Sequence, residues 1–329
     1  MSLQEERLRS HLEAYPFIIR EVGQGEDGWY ALTNRGKKRI IVCADESVLR
    51  WSHRWREYLV LRGFRRVERY LVTSHGAHWI VDDADGYALS DYWTADDHWP
   101  RRPMMQAEGY RMLGELLAHI HMCFDQTQES YQGPYRRRAM IDDALLASKH
   151  EQLRTINSTL KTHPMDAWNK WLSYNLSLVE ERLRKAEVLY KASGVEEDRT
   201  PLSFSYFPLS SLVHWEDAWY LTGLHAPLLV PRHEDTLSVL EQIYRMGGEE
   251  GTRHFLLAYT AVRRLSDREK NYLLSLLSYP LPILIHLENP SALAENRNNI
   301  KVGFRLQSQR EHLLRCVAEI QGADGGAAE

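Results

Sequence analysis

The N-terminal part of the chain alternates apolar and polar residues with the short period of β-strands. Three strands are predicted, over residues 17–22, 29–33 and 39–43. An amphipathic helix over 3–14 precedes them, and a second helix is predicted over 47–62, ended by Gly63. A further hairpin follows over 67–82, and the strand pattern ends at about Trp93. The pattern predicts a small antiparallel sheet that carries one internal helix.

The rest of the chain has the 3.6-residue period of amphipathic helices. Helices are predicted over 105–124, 140–160, 165–192, 233–246, 252–265, 267–278 and 307–320. Two short strand-like runs, 211–215 and 218–222, form an isolated hairpin among them. The small, polar tail over 322–329 is predicted to be disordered. We therefore predict an α+β protein with an N-lobe over residues 1–93 and a mainly helical C-lobe over 94–321.

Composition and charge exclude several functional classes. The 329 residues are 43% hydrophobic and 26% charged, which is the ordinary globular mix. The formal net charge of −4 supplies no broad positive field for nucleic acid, so no nucleic-acid partner is expected. No window approaches the roughly 18 apolar residues of a membrane span, and the N-terminus has no apolar signal segment. The three unpaired cysteines favour a reducing compartment, so synthesis in the cytoplasm is expected.

One glycine motif suggests phosphate chemistry. The run from Gly23 to Gly28 matches GxGxxG and lies between two predicted strands. A dinucleotide site needs a helix after the glycines, and here a strand follows. Strand, glycine turn and strand is the geometry of the loop that covers ATP phosphates in kinases, where absent side chains let backbone amides approach. A hairpin turn without a ligand is the simpler alternative.

Several runs together resemble one protein family over almost the whole chain. They are residues 30–36 (YALTNRG), 61–64 (LRGF), 91–93 (DYW), 116–121 (LLAHIH) and 258–280. The chain resembles the choline kinase and aminoglycoside phosphotransferase branch of the protein kinase-like fold, and more closely the CotS/YutH group of spore coat proteins. The resemblance implies a two-lobed fold with an antiparallel N-lobe and a larger helical C-lobe that contains the central hairpin.

Compared with active members of this family, this chain lacks the polar residues of the catalytic segment. A His-Gly-Asp sequence and an Asn five residues after the Asp are expected there. The resemblance puts Phe204 at the first of these positions, Tyr206 at the base and Ser211 at the Asn. Because the phenol of tyrosine has a pKa near 10, it is a poor general base at neutral pH. Thr222 or Gly223 falls where a magnesium-binding Asp is expected, and neither side chain replaces a carboxylate.

The N-lobe shows a further loss. The resemblance places Val42 where active members carry the phosphate-binding lysine, and Lys37 and Lys38 in a solvated turn. Glu57 is placed at the helix position that pairs with that lysine, so its partner is missing.

These losses predict a catalytically inactive pseudokinase, with neither ATP nor magnesium as a cofactor. Phe204, Tyr206 and Val42 are expected to fill the former nucleotide cleft, and Gly23, Gly25 and Gly28 to form a vestigial nucleotide loop. By resemblance, the partners are other spore coat proteins. The protein is then made in the mother-cell cytoplasm and ends in the spore coat, where it acts in coat structure or assembly.

Two other functions stay open at this point. One is an atypical small-molecule or protein phosphotransferase that uses acids from elsewhere, such as Asp235. The other is a regulatory module that binds ATP through the turn from Gly23 to Gly28 without hydrolysing it.

Overall fold

The structure is a computed structural model. It describes residues 3–25, 28–82, 85–93, 97–98, 106–125, 139–162, 166–195, 202–204, 206–207, 209, 212–215, 218–223, 228–288, 293 and 295–320. Ser211 and the predicted disordered tail over 322–329 lie outside these residues.

Mixed α and β elements follow one another in the predicted order. The helices are α1 (Leu3–Leu12), α2 (Glu46–Leu61), α3 (Ala107–Asp125), α4 (Asp143–Thr162), α5 (Ala167–Ser193), α6 (Glu234–Val262), α7 (Asp267–Ser278), α8 (Leu281–Leu284) and α9 (Arg297–Ile320). The strands are β1 (Ile19–Gly25), β2 (Gly28–Thr33), β3 (Gly36–Cys43), β4 (Ile80–Asp82), β5 (Asp85–Asp91), β6 (Asp97–His98), β7 (Leu202–Ser203), β8 (Leu212–Trp215), β9 (Ala218–Leu221) and β10 (Leu228–Leu229). The predicted fold class, an antiparallel sheet followed by a mainly helical lobe, is confirmed.

The N-terminal sheet has five strands in the order β1-β2-β3-β5-β4, and all its pairings are antiparallel. Successive side chains of a strand point to opposite faces of the sheet. Ile40 of β3 therefore joins the buried cluster that includes Leu8 and Leu12 of α1. Its neighbour Ile41 joins a second cluster with Leu49 of α2. One face of the sheet thus packs on α1 and the other on α2.

Helix α2 is defined by its caps and by one buried stripe. Asp45 is its N-cap, with a side chain that accepts a hydrogen bond from the Ser47 backbone N–H. After the helix, Gly63 adopts a φ of +91°, a conformation that favours glycine at the end of a helix. The buried residues recur at helical spacing and are Leu49, Trp51, Ser52, Trp55, Arg56 and Leu59. The stripe is apolar except for Ser52 and one arginine.

The chain forms two compact units whose boundaries differ from the predicted lobes. Unit 1 contains residues 1–104, 119–135 and 208–228, and unit 2 contains 105–118, 136–207 and 229–329. The β8–β9 hairpin, predicted to belong to the C-lobe, groups with the N-terminal sheet. The reason is a short parallel pairing in which Glu68 N–H donates to Leu221 C=O at 2.8 Å and Leu221 N–H donates to Arg66 C=O at 3.0 Å.

Unit 2 is built mainly of packed helices. Helix α7 packs against both α5 and α9, and α6 packs against α9. A capping box between Ser266 and Glu269 fixes the start of α7. Within the described part of the chain, no helix is long and apolar enough to span a membrane.

Candidate functional site

The strands on either side of the glycine hairpin pair as far as Gly25 with Gly28, and one aromatic ring lies against them. Gly28 has a φ of +105°, which favours glycine at this point of the turn. A Cβ atom added to Gly23 would lie 2.7 Å from Oη of Tyr30, so the tyrosine occupies the space that a larger side chain would need. Tyr30 is held there by a hydrogen bond from its Oη to Oε1 of Glu21 at 3.1 Å, and this bond raises the pKa of the phenol.

Strand register places four residues in one row across the sheet. Gly23 of β1 pairs with Tyr30 of β2, Tyr30 with Arg39 of β3, and Arg39 with Ser90 of β5. Paired residues in antiparallel strands share a face, so this row lies on the face that packs on α2. The glycine hairpin and the Arg39 guanidinium therefore belong to the same side of unit 1.

The register corrects the position given to the missing lysine. Val42 packs in the cluster with α1, on the opposite face of the sheet. A lysine that pairs with the helix of the N-lobe must lie on the helix-facing side of its strand. On β3 those positions are Lys37, Arg39, Ile41 and Cys43. The cations on this face are therefore Lys37 and Arg39, and Val42, which lies on the other face, does not fit the position that was assigned to it.

A buried carboxylate, Glu68, joins this row to the hairpin. The Ser90 hydroxyl donates to Glu68 Oε1, and Gly223 N–H donates to Oε2 at 2.7 Å. Nη1 of Arg39 lies 3.7 Å from Oε1, and Nη2 of Arg56 lies 3.9 Å from Oε2. The Glu68 side chain is 1% exposed. One acid thus connects β3, α2, β5 and the residues that follow β9.

The same cluster contains more positive than negative charge. Arg56 is 1% exposed, and its Nε and Nη1 atoms have no hydrogen-bond acceptor. Its guanidinium lies 4.8 Å from the ring centroid of Tyr70, a cation–π contact. The side chain of Arg39 is 30% exposed, so part of its guanidinium faces solvent. Two guanidiniums against one carboxylate leave a net charge of about +1, because arginine stays protonated in proteins.

Glu57 and the two lysines of β3 have other partners. Glu57 accepts two hydrogen bonds from Arg69, at 2.8 and 2.6 Å. These bonds lower the pKa of the Glu57 carboxyl. Lys38 pairs with Asp91 at 2.6 Å. Nζ of Lys37 lies 4.2 Å from the ring centroid of Tyr30 and 3.8 Å from that of Tyr92. Both lysines lie within β3, and neither is in the solvated turn predicted for them.

The predicted catalytic segment of unit 2 is anchored by Asp235. Its Oδ2 accepts from Phe204 N–H at 3.2 Å and from Ser203 Oγ at 2.9 Å. Phe204 is buried, whereas the Tyr206 side chain is 58% exposed. The expectation that Tyr206 and Val42 fill a cleft was wrong, because the first faces solvent and the second packs against α1.

Asp235 itself is fully buried at the start of α6. Its Oδ1 accepts from Thr236 N–H at 2.7 Å, at the helix end where a carboxylate is most favourable. His233, just before the helix, has a φ of +81° and is the one non-glycine residue with positive φ in the described chain. Asp235 therefore anchors the backbone at Phe204. Because the residue is fully buried, its carboxylate oxygens are not exposed for chemistry.

Thr222 and Gly223 form the end of the hairpin and carry no metal ligand. Thr222 is buried, and Gly223 has a φ of +90° and donates to Glu68. Among the described residues, no group of three or more His, Cys, Asp or Glu side chains could hold a metal ion. The acid next to Gly223 is Glu68, whose oxygens already accept two hydrogen bonds. The described residues at this end of the hairpin therefore supply no free carboxylate for a metal ion.

Sequence reasoning missed Arg39, Arg56 and Glu68. Arg56 stands seven residues after Leu49 on the buried stripe of α2, so its burial was visible in the helical period. An arginine on such a stripe needs a buried partner. That was the available signal for a charged cluster under the sheet.

Comparison with known proteins identifies solved structures with the same fold. No protein-family model matches the chain, and no curated protein matches it. Among solved structures, it resembles an aminoglycoside phosphotransferase from Alicyclobacillus acidocaldarius, with a TM-score of 0.69 and 13% identity over 96% of this chain and 95% of that one. The fold is that of kinase-like phosphotransferases.

Two further neighbours were solved with nucleotides. A spectinomycin phosphotransferase in complex with ADP and spectinomycin has a TM-score of 0.56 and 14% identity, over 98% of this chain and 99% of that one. An amicoumacin kinase in complex with AMP-PNP, Ca²⁺ and Ami has a TM-score of 0.56 and 14% identity, over 94% and 93%. Identities this low establish the fold alone.

These neighbours correct two predictions. A non-enzyme was predicted, but the reported neighbours are named phosphotransferases and a kinase. The absence of ATP and magnesium was predicted, but two of these proteins were crystallised with adenine nucleotides and one of them with Ca²⁺. Both predictions rested on residues lost from family motifs, and they overlooked the cations that the fold brings to the sheet. The CotS/YutH assignment, the coat partners and the coat location stay predictions.

Proposed function

We propose that the protein is a small-molecule phosphotransferase that binds a nucleoside triphosphate against the α2-facing side of its N-terminal sheet. The observation that carries this proposal is the excess positive charge of the Arg39, Glu68 and Arg56 cluster, whose Arg39 lies in the same row of the sheet as Gly23. Arg39, the partly exposed cation of this cluster, can balance the excess charge by binding an anion from solvent. A phosphate group is the anion that this fold ordinarily receives at such a place.

Two features of this side of the sheet have a chemical use in nucleotide binding. Gly25 carries no side chain, and the atom nearest to a Cβ added there is 3.8 Å away, so a phosphate can approach the backbone of β1 at this point. Arg39 presents a partly exposed guanidinium, whose planar fork matches phosphate oxygens.

Glu68 acts here as a positioning residue. In kinases an ion pair between a strand lysine and a helix glutamate must be formed for activity. Here the cation of the strand is Arg39, and the helix α2 supplies a second cation, Arg56. The acid, Glu68, lies in the segment after α2. Because Glu68 also accepts from Gly223 N–H, the cation and the hairpin end are held by one group.

The lost base at Tyr206 does not exclude this function. Phosphoryl transfer passes through a loose transition state, so catalysis depends mainly on positioning and charge stabilisation. The acceptor that we propose is a hydroxyl group of a small polar molecule. Support comes from the spectinomycin bound in one structural neighbour, and from the aminopropanol kinase neighbour, which has a TM-score of 0.50 and 12% identity over 97% of this chain.

Substitution of Arg39 tests nucleotide binding. We expect Arg39→Ala to weaken ATP or GTP binding about 10- to 100-fold, because a charge-assisted hydrogen bond contributes about 1.5–3 kcal/mol. Isothermal titration calorimetry with ATP and with GTP, each with magnesium, measures the effect. Arg20→Ala, an exposed arginine of β1, is the matched control and should bind like the wild type. Equal nucleotide affinity of the two variants, or no binding by the wild type at millimolar nucleotide, would contradict the proposed site.

A further inference from the structure

Helix α5 of unit 2 carries an exposed row of residues on the side that faces away from α4 and α7. Tyr174, Leu178 and Val188 are 73%, 38% and 68% exposed, although they are large apolar side chains. They belong to a row with alternating steps of four and three residues, here called the α5 stripe: Tyr174, Leu178, Glu181, Lys185, Val188 and Ala192. This is the spacing of the a and d positions along the seam of a coiled coil. The α5 stripe is therefore a helix face that the fold of one chain leaves uncovered.

The α5 stripe is complementary to itself in one orientation. An antiparallel pair of α5 helices, related by a two-fold axis at the level of Leu183, places Glu181 of each copy opposite Lys185 of the other. The same axis places Leu178 opposite Val188. A parallel pair would place Glu181 against Glu181 and Lys185 against Lys185, and like charges in contact are unfavourable. An antiparallel pair shifted by one heptad would place Lys185 opposite Val188, or Glu181 opposite Leu178. One register therefore matches both the charges and the apolar side chains.

The surface beside the α5 stripe is concave, and its α9 side has charges that are already paired. A depression of about 570 Å³ lies between α5 and α9, and its α5 wall includes Glu181 and Lys185. On the α9 wall, Glu311 pairs with Arg182, and Arg315 pairs with an acid of α6. In the described part of the chain, neither Glu181 nor Lys185 forms an ion pair. Both charges therefore stay available to a helix that packs along the stripe.

From this complementarity, we propose that a second copy of this chain covers the α5 stripe, in a two-fold dimer in which the two α5 helices pack antiparallel. Leu178 and Val188 bury apolar area on either side of the centre, and two pairs between Glu181 and Lys185 fix the register. One pair of helices is a small contact, and the axis brings the two Arg184 side chains together at its rim. The dimer should therefore dissociate on dilution.

Sedimentation velocity of the full-length protein tests the dimer. We expect a reversible equilibrium in which the fraction of dimer rises between about 1 and 200 µM protein. Lys185→Glu should weaken dimerisation about tenfold or more, because both central pairs become repulsive. Lys161→Glu, the same change at an exposed lysine of α4, is the matched control and should dimerise like the wild type. A wild-type protein that stays monomeric over this range, or equal dimerisation of the two variants, would overturn the proposal.

Complementary charge reversals test the register. Glu181→Lys alone should also weaken dimerisation, but an equimolar mixture of Glu181→Lys and Lys185→Glu should form a heterodimer, because every central charge again faces its opposite across the axis. Val188→Asp should abolish the dimer, whereas Leu257→Asp, at an exposed leucine of α6, should leave it intact. Sedimentation velocity with one variant fluorescently labelled detects the heterodimer. A mixture that stays monomeric while the wild type dimerises would overturn the proposed pairing.

Discussion

Replacement of Glu68 by alanine should lower the free energy of unfolding by about 3–5 kcal/mol, the cost of removing one partner from a buried ion pair. The carboxylate is 1% exposed and accepts hydrogen bonds from Ser90 and Gly223 N–H. Without it, the buried guanidinium of Arg56 loses the carboxylate that it faces, and the Gly223 N–H loses its acceptor. Urea denaturation followed by circular dichroism measures the loss.

Glu57 provides the matched control for Glu68. It also lies in unit 1 and also pairs with an arginine, but this pair is partly exposed, with 27% of the Glu57 and 54% of the Arg69 side chain accessible. Exposed pairs contribute about 0–1 kcal/mol, so Glu57→Ala should cost no more than that. The double variant Arg56→Met/Glu68→Gln should recover part of the stability lost in Glu68→Ala, since it removes the uncompensated buried charge. A Glu68→Ala protein as stable as Glu57→Ala would contradict the charged cluster.

Asp235→Ala is expected to produce the second large effect, a loss of about 3 kcal/mol. Three donors would lose a buried charged acceptor: Phe204 N–H, Ser203 Oγ and Thr236 N–H. Each unsatisfied buried donor costs about 1–3 kcal/mol, and local relaxation recovers part of the sum. The loss is measured by the same urea denaturation, and hydrogen exchange at Phe204 and Thr236 should accelerate in the variant.

Asp267→Ala is the control that measures how much an acid at the start of a helix contributes to stability through the helix dipole alone. Asp267 occupies the first turn of α7, as Asp235 does in α6, but it is exposed. Interaction with the helix dipole at an exposed site contributes about 0.3–1 kcal/mol, so Asp267→Ala should stay within that range. Comparable losses in the two variants would show that Asp235 does not anchor the segment at Phe204.

Elements with strong periodicity were predictable from the sequence. The alternation in residues 29–43 and the helical stripe of α2 both led to the observed β2, β3 and α2, because burial on one face imposes a clear period. The glycine turn was also placed correctly between two strands, since Gly28 adopts a positive φ there.

Positions within those elements were less predictable. A shift of one residue turns a strand side chain to the other face of the sheet, so Val42 was assigned to a face that it does not occupy. Along α2 a single residue changes the direction by about 100°. That is the difference between Glu57, which reaches Arg69 near the surface, and Arg56, which is buried.

The acid at the centre of the cluster could not be found by any local pattern. Glu68 lies in an irregular segment and meets Gly223, which is 155 residues away in the chain. Such a contact depends on the pairing of Val67 with Leu221, which only the folded topology creates. The motif losses at Tyr206 and at Thr222 or Gly223 stay predictions, and they did not reveal the cations that the sheet brings to Glu68.

Phosphate transfer to a small molecule tests the central claim most directly. The wild-type protein is incubated with ATP or GTP, magnesium and a panel of hydroxylated amines that includes spectinomycin and aminopropanol, and products are detected by mass spectrometry. We predict that at least one acceptor gains the mass of a phosphoryl group, and that Arg39→Ala forms this product at least tenfold more slowly while Arg20→Ala does not. A folded wild-type protein that transfers no phosphate to any acceptor from either nucleotide would contradict the account.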